Sequence, residues 1–474
     1  MTESNAAFKP SLGLFDATMI VAGSMIGSGI FIVSADMLKE LGSAGWLLAA
    51  WGITGFMTLS AALSYGELSG MYPKAGGQYV YLKEAYNPLV AFVYGWSFFS
   101  VIQTGTIAAV AVGFAKFAGY FFPELAWEDQ NTFNLLGLNI HYAQVLGVAL
   151  IILLTFINTK GIETGKIIQT IFTSTKILSL FGLIIAGFIA FNWDVWHLNW
   201  QNPWTAQHLT KTDTGIGTET LLTAAVLGAV ASAMVGSIFS SDAWNNVTFI
   251  AGEIKNPKKN IGLSLFLGTL IVTTIYILTN VVYLATVPIH ELAFAKDNRV
   301  ALSASQAIFG SSGTMIIAVM IMVSTFGCNN GLILAGARVY YTMAKDKLFF
   351  RQAGTLNKNT VPAWALWIQC AVACALCLSG KYGDLLDMVS FIVVIFYVLT
   401  IAGIFILRKK YPDAVRPYKA FGYPVLPVIY IIMGIAFCTL LIIYKPAFTW
   451  PGLMIALIGI PLYYLAVLNK KSTE

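Results

Sequence analysis

Gly23-Ser24-Met25-Ile26-Gly27-Ser28-Gly29-Ile30-Phe31 reads as the middle of a membrane crossing interrupted by three glycines and two serines. Glycine backbone unwinds readily, and unwinding frees N–H and C=O groups that hydrocarbon cannot satisfy. Something polar must fill the gap. A second stretch repeats the pattern five apolar segments later: Gly236-Ser237-Ile238-Phe239-Ser240-Ser241-Asp242-Ala243-Trp244-Asn245-Asn246. Where a half-helix restarts, its N–H groups attract an anion; where one stops, its carbonyls attract a cation. A zwitterion presents both charges together, and paired interrupted helices at corresponding depths mark the substrate site of an inverted-repeat transporter. Gly23-x-x-x-Gly27 by itself also fits a small-residue helix-packing motif. Asp242 tips the reading toward a site, because a carboxylate at mid-span is expensive in lipid and packing does not explain it.

The whole chain is built for the bilayer. Of its 474 residues 57% are hydrophobic and 11% charged, against about 25% charged in an average soluble domain. A soluble enzyme of this length would need charge to cover its surface. No polar segment is long enough for an appended catalytic or nucleic-acid-binding unit. Apolar runs bounded by charge, Pro and Gly place twelve spans near 14–36, 45–70, 87–121, 142–160, 166–191, 221–250, 262–287, 313–345, 362–379, 385–408, 425–444 and 451–469. With both termini cytoplasmic, twenty of the 28 Lys and Arg fall in inner segments and six in outer ones, leaving Lys116 and Lys176 within spans. That asymmetry follows the positive-inside rule and makes the protein an integral protein of the cytoplasmic membrane. The first span lacks a short apolar core ending in a cleavage site, so no signal peptide is expected.

Chemistry outside the broken helices is sparse. The four histidines, His141, His197, His208 and His290, fall in or beside outer segments, and all five cysteines lie in apolar stretches. No His, Cys or paired-carboxylate constellation at one depth supports an enzyme, a metal site or a cofactor. Lys176 is the exception. It lies about ten residues from either end of the fifth span, too deep to reach the interface, and must face protein. Its roles are a structural cation or a coupling and gating group. Cys328 and Asn330, in a polar cluster of the eighth span, are candidate partners for Lys176 or for substrate.

At these residues the chain resembles the amino acid–polyamine–organocation superfamily and, within it, the L-amino-acid transporter family of bacterial-type amino acid permeases. The resemblance rests on six motifs in order: Gly27-Ser28-Gly29-Ile30-Phe31, Phe172-Thr173-x-x-Lys176, Phe239-x-x-x-x-Trp244-Asn245, Glu253-Ile254-Lys255-Asn256-Pro257, Phe326-Gly327-x-x-Asn330-Gly331 and Arg416-Pro417-Tyr418-Lys419. It implies an all-α integral membrane protein with twelve transmembrane helices and a leucine-transporter-type five-plus-five inverted repeat, helices one and six interrupted. The chain then forms one transport domain: a cytoplasmic segment 1–13, a first repeat 14–191, an inverted second repeat 221–408, and helices eleven and twelve at 425–469.

The resemblance also implies roles. Backbone N–H groups of Gly27, Ser28 and Gly29 hold the substrate carboxylate, and carbonyls of Met25, Phe239 and Asp242 hold its ammonium. Phe239 gates the site from outside, with Ser240 and Ser241 lining it. Lys176 stands where sodium-coupled relatives bind sodium. The expected function is sodium-independent transport of L-α-amino acids by alternating access, as exchange, with proton-coupled symport as the alternative. A sensor or channel on the same fold is the alternative from another class. Family members usually carry Ala-Tyr before the sixth-span Asp or Gly and Gly after it; here Ser240-Ser241 precede Asp242 and Ala243 follows. Asp242 is compatible with cationic, small polar or neutral substrates. Animal members attach a glycoprotein through a cysteine after span three. The loop from Pro123 to His141 has none, so no disulfide-linked subunit is expected.

Overall fold

The computed structural model describes residues 10–128, 130–135, 138–213, 215–379 and 382–471; residues 1–9, with Lys9, and Lys381 lie outside the described residues. The first apolar stretch forms two helices. α1 (Leu14–Met25) begins where the Asp16 carboxylate accepts the Gly13 N–H at 2.9 Å, an N-terminal cap. It stops at Ile26, whose ψ of 91° leaves the helical region. The chain restarts through one 3-10 turn, Gly29–Phe31, into α2 (Val33–Leu41), which ends at the left-handed Gly42.

Then follow α3 (Ala44–Met71), α4 (Gln78–Ala85), and α5 (Pro88–Ser97), started by Asn87 and Pro88 and continued through a π turn at Phe98–Ile102 into α6 (Gln103–Ala118). After α7 (Tyr142–Asn158), α8 (Ile162–Ile189) and α9 (Trp193–Asn199), the sixth stretch again divides, into α10 (Thr223–Ser240) and α11 (Asn246–Phe249). The remainder comprises α12 (Pro257–Thr286), α13 (Ile289–Ala293), α14 (Val300–Lys345), α15 (Ala363–Ser379), α16 (Tyr382–Lys410), α17 (Val425–Tyr444) and α18 (Pro446–Lys471). The spans expected to begin at 262 and 313 start earlier, and α14 reaches 46 residues by continuing across a non-helical Gly310.

Two hairpins among the described residues depart from an all-α reading. β1 (Thr132–Leu135) pairs with β2 (Leu138–His141), and β3 (Gln207–Thr212) with β4 (Gly215–Thr220), both antiparallel. These hairpins lie on one face of the helix bundle, the hairpin face. On the opposite, terminal face, the segment before α1 pairs with the segment after α11 through Leu12 and Ile254.

The bundle turns large apolar side chains outward and buries charged and polar ones within its core. Leu178 and Ile189 of α8 and Ile432 and Ile443 of α17 are exposed, whereas Glu67, Lys176, Asn280, Asn329 and Arg338 are buried. A soluble protein shows the reverse. Among the described residues, eight helices have the length and hydropathy to cross a membrane, and Leu14–Met25, Tyr142–Asn158, Ala225–Ser240 and Ala363–Ser379 are shorter apolar helices.

Ion pairs close the terminal face. Glu67 accepts from Arg408 at 2.6 and 3.0 Å and from the Ala420 N–H at 2.7 Å, and lies 3.3 Å from Arg416. Tyr418 packs against Gly66, where a Cβ would meet the ring at 2.8 Å. The Arg416-Pro417-Tyr418-Lys419 motif therefore straps the loop before α17 onto the end of α3. Glu253 accepts from Arg338 at 3.2 Å; burial pushes its carboxyl up and Arg338 pulls it back.

Candidate functional site

The end of α1 shows how the break is held. A helix that stops leaves its last carbonyls without intrahelical donors. Here side chains from three other helices supply them. Lys176 Nζ on α8 donates to the Gly23 and Ile26 carbonyls, each at 2.7 Å. Cys328 Sγ on α14 donates to the Ser24 carbonyl at 3.2 Å, and the Tyr276 hydroxyl on α12 reaches the Met25 carbonyl at 3.0 Å. The Tyr276 hydroxyl also lies 3.0 Å from the Ser240 carbonyl, at the end of α10. One phenol thus ties together the stopped ends of both interrupted helices.

The restarting side is different. Gly27, Ser28 and Gly29 are buried, and none of their N–H groups has an acceptor among the described residues. Buried backbone N–H groups are almost always paired. Three in succession, facing a break whose carbonyls are all taken, make a site for an anionic group. Gly29 has no room for a side chain, because a Cβ there would strike the Ser240 side chain. At Gly27 a Cβ would come within 3.0 Å of Cys328 Sγ.

Above the break, toward the hairpin face, Ser28 Oγ and the Tyr382 hydroxyl share a 3.1 Å hydrogen bond. The Tyr382 ring meets Phe239 edge-on, centroids 6.2 Å apart. Gly236 of α10 packs against Val33 of α2, where an added Cβ would meet Val33 Cβ at 2.8 Å. A cavity of about 630 Å³ opens beyond this layer on the hairpin face, with Val33, Gly236 and Asp387 in its wall.

The second break carries Ala243 at φ 61°, followed by Trp244 packed edge-on against Tyr65 at 4.7 Å. Ser240 Oγ donates back to the Gly236 carbonyl at 2.7 Å, and the Phe239 carbonyl accepts the Asp242 N–H at 3.2 Å. The Asp242 carboxylate accepts from the Tyr397 hydroxyl on α16. Ser241, Thr54, Thr58 and Tyr430 join it around a cavity of about 20 Å³, room for about one water.

The structure therefore brings Met25, Gly27, Ser28, Gly29, Lys176, Phe239, Ser240 and Cys328 to one locus, while the Asp242 side chain turns toward α3, α16 and α17. Asn330 does not bond Lys176: its Oδ1 accepts from Asn158 at 2.8 Å, and Lys176 bonds the two carbonyls instead. Tyr276 and Tyr397 were not legible in sequence, since a tyrosine within an apolar run carries no charge to mark it, and Tyr382 reads as part of the polar connection Lys381-Tyr382-Gly383-Asp384 before the tenth span. No group of His, Cys, Asp and Glu among the described residues is arranged for a metal ion.

The chain is 29% identical to the serine/threonine exchanger SteT of Bacillus subtilis over 98% of both chains. It is also 29% identical to the large neutral amino acids transporter small subunit 2 of Homo sapiens, over 97% of this chain and 81% of that protein. Identity to the Asc-type amino acid transporter 1 of Mus musculus is 28%, over 97% of this chain and 82% of that one. The amino acid permease profile matches residues 12–467, nearly the full length, so this chain belongs to the amino acid permease family of the amino acid–polyamine–organocation superfamily, integral to the plasma membrane.

Proposed function

We propose that this amino-acid transporter is a sodium-independent exchanger of L-α-amino acids that works by alternating access. One observation carries the reading: at the first break every freed carbonyl has a side-chain donor while the N–H groups of Gly27, Ser28 and Gly29 have no acceptor. The substrate carboxylate binds those N–H groups. Its ammonium competes for the Met25 and Ser240 carbonyls that the single Tyr276 hydroxyl shares, with Phe239, Ser241 and Asp242 near the side chain. Lys176 supplies a fixed cation to the Gly23 and Ile26 carbonyls, so no sodium is needed there. The twelve apolar stretches cross the membrane as two inverted five-helix repeats, 14–191 and 221–408, followed by helices at 425–469. The terminal face is cytoplasmic, and the hairpin face with its cavity is outside. Phe239, packed edge-on against Tyr382, is the outer gate. Substrate shifts the population between outward and inward arrangements. The protein acts without a disulfide-linked subunit.

The test is uptake of a labelled amino-acid panel into sodium-free proteoliposomes, empty or preloaded with unlabelled amino acid, at equal and unequal pH. Exchange predicts uptake only into preloaded vesicles. Uptake into empty vesicles driven by an inward proton gradient would replace exchange with symport. Binding without any flux would make the protein a sensor.

A further inference from the structure

Lys116 is the second lysine within an expected span, and the site described above does not use it. It lies in the last turn of α6. Its ammonium rests over ring faces: Nζ is 5.2 Å from the centre of the Tyr382 ring and 6.0 Å from that of Trp127. No carboxylate pairs with it among the described residues. The two acids close enough to act on it, Asp36 and Asp297, are engaged elsewhere. Asp36 is held by Lys39 at 2.9 Å and by Asn298 at 2.8 and 2.9 Å, and Asp297 by Arg299 at 3.0 Å.

The placement matters more than the missing partner. The ring under Lys116 is the one whose hydroxyl bonds Ser28 Oγ and whose edge meets Phe239. Lys116 therefore stands one aromatic layer outward of the acceptor-less N–H groups. A cation over a ring keeps its ammonium donors available, and a carboxylate brought beside it forms charge-assisted hydrogen bonds.

We propose that Lys116 and Tyr382 form an outer subsite for the α-carboxylate of the amino-acid substrate, occupied before that carboxylate reaches Gly27, Ser28 and Gly29. The ammonium receives the carboxylate arriving from the hairpin face. Tyr382 then releases Ser28 and lets the carboxylate pass inward. The subsite discriminates for the carboxylate, common to all α-amino acids, and not for the side chain. This inference rests on the transport reading and on the hairpin face being external.

The experiment measures exchange by the full-length protein in right-side-out vesicles, with the KM for external and internal substrate determined separately. Lys116→Met is expected to raise the external KM roughly tenfold and to leave the internal KM within about twofold, and Lys116→Arg is expected to restore the external value. Where Met is not tolerated, Lys116→Gln gives the same comparison. An unchanged external KM, or an equal rise on both sides, overturns the subsite. Absence of flux in the wild-type protein defeats the transport reading itself; normal wild-type flux with unaltered variant kinetics defeats the subsite alone.

Discussion

Three single residues decide how the breaks are held. Lys176→Ala would leave the Gly23 and Ile26 carbonyls without their donor, and each buried group left unpaired costs about 1–3 kcal/mol. The expected outcome is a folded but thermally weakened protein whose exchange falls at least about tenfold; normal transport by this variant would remove Lys176 from the mechanism. Gly29→Ala is expected to abolish exchange, because its Cβ would strike Ser240 at the point where the two breaks touch. Ala243 offers the opposite case. At φ 61° it occupies a conformation that costs a residue with a Cβ about 1 kcal/mol. Ala243→Gly should therefore raise thermal stability by about that amount, read from the unfolding midpoint of the purified protein. A lower midpoint would show that the methyl's packing outweighs the backbone strain.

Among elements, the interrupted helices depend on their neighbours more than on each other. α1 and α10 stop because Gly27–Gly29 and Ser241–Asp242 favour unwinding, yet the stops are stable because α8, α12 and α14 deliver donors to them. Tyr276→Phe removes the hydroxyl that bridges Met25 and Ser240, and should lower maximal exchange while leaving expression intact; unchanged kinetics would mean that water replaces the hydroxyl. On the terminal face, Glu67 holds two arginines and a backbone N–H. Glu67→Gln breaks a buried ion pair, a change that costs about 3–5 kcal/mol. Proteolysis of the loop at residues 411–424 should accelerate in this variant. Cleavage at the wild-type rate would show that Tyr418 on Gly66 suffices to hold the strap.

For the whole molecule, the distribution of cavities sets the direction of access. The cavity of about 630 Å³ opens on the hairpin face, while the terminal face is closed by the Glu67 and Glu253 ion pairs and by the Leu12–Ile254 pairing. This arrangement fits the proposed transport cycle, with access to the site open on the hairpin face and shut on the terminal face. Ser232 lines that cavity. Ser232→Cys should react with a membrane-impermeant maleimide added to intact cells, above the background of the five native thiols. Labelling only after the cells are opened would reverse the orientation.

Much of this was legible in the amino-acid sequence because the bilayer imposes one-dimensional rules. Apolar length marks the helices, and Gly27-Ser28-Gly29 with Ser240-Ser241-Asp242 marks the two interruptions. Lys176 could be read as a buried cation from its depth alone. Its partners could not, nor could the pairing of Asn330 with Asn158 or the turn of Asp242 toward Tyr397, because each depends on which helix faces are brought together. The hairpins were missed because short polar strands carry little hydrophobic pattern. Composition and apolar length thus determined that the chain is a membrane protein, and the Gly/Ser-rich stretches with Asp242 that two of its helices are broken. Only tertiary packing decided which carbonyls are already satisfied and which N–H groups remain for a substrate, since hydrogen-bond satisfaction is settled between helices, in three dimensions.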